Sequence, residues 1–92
     1  MGEARETVTI VNRRGLHARA SAKFVGAVAG LPEGVSVTIS KPPHSAAGGS
    51  ILGLMMLGAA KGDTVEVVVT GDNAKAILAD LVALIASGFG EE

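Results

Sequence analysis

The sequence predicts one open-faced α+β sandwich, a four-stranded and mainly antiparallel sheet that is wet on one side and covered by helices on the other. Two observations predict the layers. The strand-like segments alternate apolar and polar residues on a single face, as half-buried antiparallel strands do, and the helix-like segments carry apolar stripes that need a sheet to lie on. A third observation sets the domain count. Ninety-two residues without a linker, an internal repeat or a low-complexity tract make one domain, residues 1–92, which buries roughly 60% of its unfolded surface and so holds a single core.

Residues 7–11 alternate with period two, setting Val8 and Ile10 on one face of a first strand, and Asn12 to Gly15 then break the pattern with turn formers. Over residues 18–29 the apolar Ala20, Phe24 and Val28 recur every four positions with Val25 beside them, which is helical spacing, and Gly30 follows as a stop. Val35, Val37 and Ile39 alternate with Ser36, Thr38 and Ser40, and residues 64–70 repeat the pattern with Val65, Val67 and Val69 inward. Between these strands Pro42-Pro43 removes backbone donors, so residues 44–47 are limited to a short or edge strand. Gly48-Gly49-Ser50 opens a brief apolar helix over residues 51–57, closed by Gly58. The last element, residues 73–87, is an amphipathic helix with Ile77, Leu81, Leu84 and Ile85 on one stripe and Asp80 opposite, capped by Asp72 or Asn73.

Composition removes several function classes. There is no cysteine, so disulfides and thiolate metal sites are excluded and stability rests on packing, which suits a reducing cytoplasm. The two histidines, His17 and His44, lie far apart and make no metal site, and no cofactor is implied. The longest apolar stretch, residues 51–60, contains two glycines and is far short of the about 20 residues that span a bilayer. The first six residues have neither the basic and apolar regions of a signal peptide nor a myristoylation pattern, so an untargeted cytoplasmic protein without membrane insertion is expected. An RNA-reading sheet needs stacking aromatics, and this chain has two phenylalanines, no tyrosine or tryptophan, and a net charge of −1, so no nucleic acid is expected as a partner.

Charge is unevenly spread. Arg13, Arg14, Arg19 and Lys23 are four of the eight basic residues, and no acid lies between Glu6 and Glu33. Such a cluster draws in an anionic group or an acidic partner surface, chiefly by raising the encounter rate, although charge alone reads more readily as a solvated face.

Gly15-Leu16-His17-Ala18-Arg19, directly after a first strand and opening the first helix, resembles the phosphorylation motif of HPr, the histidine-containing phosphocarrier family of the bacterial phosphotransferase system. Ser50-Ile51-Leu52-Gly53-Leu54-Met55-Met56-Leu57-Gly58 resembles the regulatory serine and short helix of the same family. Element order and both spacings agree from about Thr7 to Phe89, and residues 18–24 and 53–57 look most like alphaproteobacterial members. The resemblance implies a carrier rather than a turnover enzyme. It accepts phosphate from enzyme I on His17, at ring Nδ1, and donates it to EIIA-type proteins, working as a monomer. It also implies that an ATP-dependent HPr kinase/phosphorylase modifies Ser50.

The residue types suit that chemistry. Imidazole, with a reference pKa of about 6.5, is a neutral nucleophile near pH 7 where serine is not. Phosphoryl transfer needs in-line positioning and stabilised oxygen charge more than covalent help. At a helix start the unpaired amides around Ala18 and Arg19 face an incoming anion in a favourable dipole field, and the guanidinium of Arg19 adds a planar fork of donors, with Arg14 assisting from the loop. Without the resemblance, a lone histidine there is more often a cap or a solvated residue, and Arg19 a surface cation. The family commonly has proline where this chain has Ala20, which keeps the helix but holds the His17 loop less firmly, so an altered transfer rate is expected.

Ser50 is also a good N-cap, and phosphate on it brings up to two negative charges beside a docking surface without disturbing the helix start. Leu54 and Leu57 share the inward face of the short helix, which leaves Ile51, Leu52 and Met55 toward solvent as partner-docking residues. The rival reading is a non-catalytic regulatory module controlled through Ser50, for which His17 would have no use. His44 is expected to be an exposed loop residue.

Overall fold

The computed structural model describes residues 2–91 and runs β1 (Gly2–Thr9), α1 (Ala18–Ala29), β2 (Ser36–Lys41), β3 (His44–Ala47), α2 (Ile51–Met56), β4 (Thr64–Gly71) and α3 (Ala74–Ala86), closing on a 3₁₀ turn, Gly88–Gly90. The four strands make one antiparallel sheet in the order β1-β4-β2-β3. β4 is central because Val65, Val67 and Val69 all point to the covered face and are 1% exposed or less, giving both neighbours an apolar ridge to pair against. Val8 lies opposite Val65, while Val37 and Ile39 lie opposite Val69 and Val67, so the register stacks apolar side chains on one face. The three helices pack on that face, with Phe24, Leu54, Leu81, Ile85 and Phe89 filling the space between the layers. Among the described residues no helix is long and apolar enough to cross a membrane.

Several boundaries depart from the sequence pattern. β1 begins at Gly2 rather than Thr7, because Gly2 to Glu6 pair with Gly71 to Val67 through the backbone. Those residues are exposed apart from half-buried Ala4, so no alternation announces them. The strand also ends at Thr9. Ile10 stays buried and exchanges backbone hydrogen bonds with Asp63 and Gly62, both 2.8 Å, whereas Val11 turns outward and is 45% exposed.

In α1 the inner face is Ala20, Ser21 and Phe24, with Val25 and Val28 half-buried, and in α3 it is Ala74, Leu78, Leu81 and Ile85, with Ile77 and Leu84 at the margin of the stripe. The expected side-chain cap of α3 is absent. Asn73 occupies the N-cap position in the left-handed region, φ 61°, and makes no capping bond, because the side-chain cap requires an extended backbone there. β3 is the short edge strand that Pro42-Pro43 predicted, and it takes in His44, exposed and paired opposite Lys41, as a strand residue rather than a loop one.

Candidate functional site

The chain between β1 and α1 is anchored from both sides. Asn12 is 1% exposed and donates through Nδ2 to the carbonyl of Gly15 at 2.8 Å, while the Gly15 amide donates back to the Asn12 carbonyl at 3.1 Å. Gly15 has φ +63°, and a Cβ built there would lie 2.4 Å from the carbonyl oxygen of Ala59, so the loop approaches the segment after α2 as only glycine allows. The Leu16 amide donates to that same carbonyl at 3.0 Å. His17 therefore leaves a fixed loop at the end of the molecule where α2 also finishes.

His17 is the N-cap of α1, with φ −77° and ψ −177°. Its Nδ1 accepts the Arg19 backbone N–H at 3.1 Å, and its Nε2 lies 2.8 Å from Oε2 of Glu91. An amide can only donate, so Nδ1 holds a lone pair. In the neutral ring the proton then sits on Nε2 and is donated to the carboxylate. The side chain is 15% exposed, and both ring nitrogens are held.

Glu91 arrives from the far end of the chain. Phe89, 1% exposed with φ 59°, buries its ring and turns the backbone, Lys23 Nζ donates to its carbonyl at 2.7 Å, and the Glu91 amide donates to Gly88 at 3.0 Å. Oε1 of Glu91 accepts from Asn12 Nδ2 at 3.1 Å. Desolvation works to raise the pKa of this carboxyl, but the hydrogen bonds from Asn12 and His17 and the electrostatic attraction of the His17 and Arg19 side chains outweigh it and hold the pKa below the ordinary value. A depressed carboxyl contributes stability above its unfolded pKa and loses it as pH falls through the folded one, so this tether loosens only in acid.

Arg13, Arg14, Arg19 and Lys23 line a depression of about 400 Å³ together with Gly90 and Glu91. Ala18 and Arg19 are both exposed. Of the expected grouping, Arg14 and Arg19 line the depression, while His17, with Ala18 next to it in the chain, reaches its edge through the contact with Glu91, and the cationic rim suits a multiply charged oxyanion. Asn12, Lys23 and Glu91 were not foreseen as site residues. Asn12 reads as a turn former and Lys23 as one charge of a cluster. The only hint of Glu91 is an aromatic residue between two glycines beyond the last helix, which marks a chain turning back into the core.

At α2, Ser50 Oγ accepts the Gly53 amide at 3.0 Å, so the serine caps the helix as expected. Leu54 and Leu57 are buried, and Ile51, Leu52 and Met55 are 41%, 68% and 40% exposed. Met56, at 74%, is more exposed than any of them and joins the patch. Gly15 and Leu16 rest on Ala59, just past α2, so the loop that precedes His17 is in contact with the segment that follows this helix.

The family model for the "PTS HPr component phosphorylation site" matches residues 4–87 of the chain. The chain is 41% identical over 85 residues to the phosphocarrier protein HPr of Pseudomonas aeruginosa, covering 91% of the chain and 92% of that protein. It is 35% identical over 88 residues to the phosphocarrier protein NPr of Escherichia coli K12, covering 96% and 97%. Among solved structures, HPr-C-His from Thermoanaerobacter tengcongensis superposes with a TM-score of 0.86 at 36% identity, covering 100% of the chain and 99% of that structure.

Proposed function

The chain belongs to the HPr family of phosphotransferase-system phosphocarriers, and from that premise we propose that His17 carries the phosphoryl group, receiving it from phosphorylated enzyme I and passing it to an EIIA-type acceptor. The observation that carries this reading is the lone pair of His17 Nδ1, held against the Arg19 amide in the first turn of α1, on a ring that Glu91 joins to a depression lined by four cations. In the transfer, Nδ1 forms a bond to phosphorus as the donor's phosphorus bond breaks, and the electron pair of the broken bond stays with the donor. The ring keeps its Nε2 proton and takes up positive charge. The Arg19 amide, released from Nδ1, then donates to a phosphoryl oxygen, with the guanidinium of Arg19 and the Arg14 side chain beside it to hold the others. Onward transfer runs the same step in reverse. Enzyme I with phosphoenolpyruvate should give one acid-labile, base-stable phosphoryl adduct per chain, and a chain that takes no label under conditions where a known HPr is labelled would defeat the proposal.

Ser50 is the regulatory site in this reading, phosphorylated by an HPr kinase/phosphorylase. Its phosphate would sit at the start of α2, next to Ile51 and Leu52, where an apolar partner surface docks. Ser50→Asp keeps a good N-cap while adding charge, so the fold should be retained and phosphorylation of His17 slowed by roughly tenfold. Equal labelling rates for Ser50→Asp and parent would dismiss α2 as the docking face.

A further inference from the structure

We propose that Glu91 is a positioning residue for transfer at His17, gripping the Nε2 proton so that the ring holds its orientation while Nδ1 attacks. The transfer half of this inference rests on the phosphocarrier reading, but the contact itself belongs to the unphosphorylated chain. Two hydrogen bonds hold the ring, Arg19 N–H to Nδ1 at 3.1 Å and Nε2–H to Glu91 at 2.8 Å. The first cannot serve during reaction. Its acceptor is the lone pair that must reach phosphorus, so that bond breaks as the new one forms. Of the two, only the Glu91 contact can persist through the step, and it strengthens as the ring becomes cationic.

The structure builds this grip rather than leaving it to a mobile side chain. Oε1 is tied to Asn12, whose Nδ2 also holds the Gly15 carbonyl, so one buried amide sets both the loop that carries His17 and the carboxylate that orients it. The backbone of Glu91 is set by the buried Phe89 and by Lys23 on the Phe89 carbonyl. Reactions of this kind are sensitive to ring placement, since a displacement of about 1 Å can cost on the order of a hundredfold in rate.

Glu91→Ala and Glu91→Gln separate positioning from mere screening of the neighbouring cations. Glutamine keeps an oxygen that can accept the Nε2 proton but carries no charge. In the unphosphorylated protein, proton–nitrogen NMR should show a His17 Hε2 resonance protected from solvent exchange in the parent and in Glu91→Gln, and lost in Glu91→Ala. In transfer from phosphorylated enzyme I, Glu91→Ala should lower kcat about tenfold with KM unchanged, and Glu91→Gln should recover part of that loss. The proposal is overturned if Hε2 stays protected in Glu91→Ala, if Glu91→Ala transfers at the parental rate, or if Glu91→Gln is as slow as Glu91→Ala. A parent that takes no phosphoryl group while its Hε2 is protected would instead overturn the phosphocarrier reading, and with it the transfer half of the proposal.

Discussion

His17→Asn is expected to take up no acid-labile phosphate from enzyme I and phosphoenolpyruvate, while melting close to the parental temperature. Both halves follow from the N-cap position. Asparagine is among the best capping residues and offers an oxygen to the Arg19 amide in place of Nδ1, so the start of α1 is preserved. It has no nucleophilic nitrogen lone pair, so phosphorus has nothing to bond to. His17→Ala should lose the adduct as completely but also lose the cap, at a cost of about 1 kcal/mol, which for a domain of this size lowers Tm by about 4–8 °C. Labelling assays and thermal melts on the two variants thus divide chemistry from capping. An adduct that survives in both would move the phosphoryl group elsewhere, with the exposed His44 the first residue to inspect.

Gly15→Ala carries the largest expected stability effect. The residue has φ +63°, which disfavours any side chain, and the added Cβ would stand 2.4 Å from the Ala59 carbonyl oxygen and 2.9 Å from the Ala60 Cα. Both neighbours are backbone and cannot rotate away. The Gly15–Leu16 segment must therefore lift off Ala59, breaking the 3.0 Å bond from the Leu16 amide and shifting His17 behind it. We expect a loss of about 2–4 kcal/mol in urea unfolding, together with a fall in the rate of His17 labelling. Gly34→Ala is the matched control, since Gly34 has φ +89° but nothing within 4 Å of the added carbon. Its cost should be about 1 kcal/mol, that of the backbone alone. Equal losses at the two positions would show that the close approach to Ala59 is not what makes Gly15 necessary.

Much of this molecule could be read from short-range pattern. The helix over residues 18–29 was expected with the limits of α1, and the capping roles of His17 and Ser50 follow from their places before an apolar helix. The inward Val65, Val67 and Val69 and the edge position of residues 44–47 were likewise evident. These features depend on neighbours within a turn or along one strand, where side-chain periodicity and a missing backbone donor act directly. Misreadings occurred where the backbone or a neighbouring element decides. The first half of β1 is held by ladder bonds to β4 that leave no trace in its polar side chains, and the left-handed backbone of Asn73 cancels a cap that composition alone would predict.

By itself, then, the sequence determined the elements, the histidine at a helix start and the cluster of cations near it in the chain, because each is a property of adjacent residues. Only the tertiary structure decided what touches that histidine. Glu91 lies 74 residues from His17 along the chain, and it meets the ring because Phe89 gains more by entering the core than by facing water, turning the chain back as it does so. Such an encounter is set by how layers pack and where a buried ring fits, and no local spacing of residue types records it.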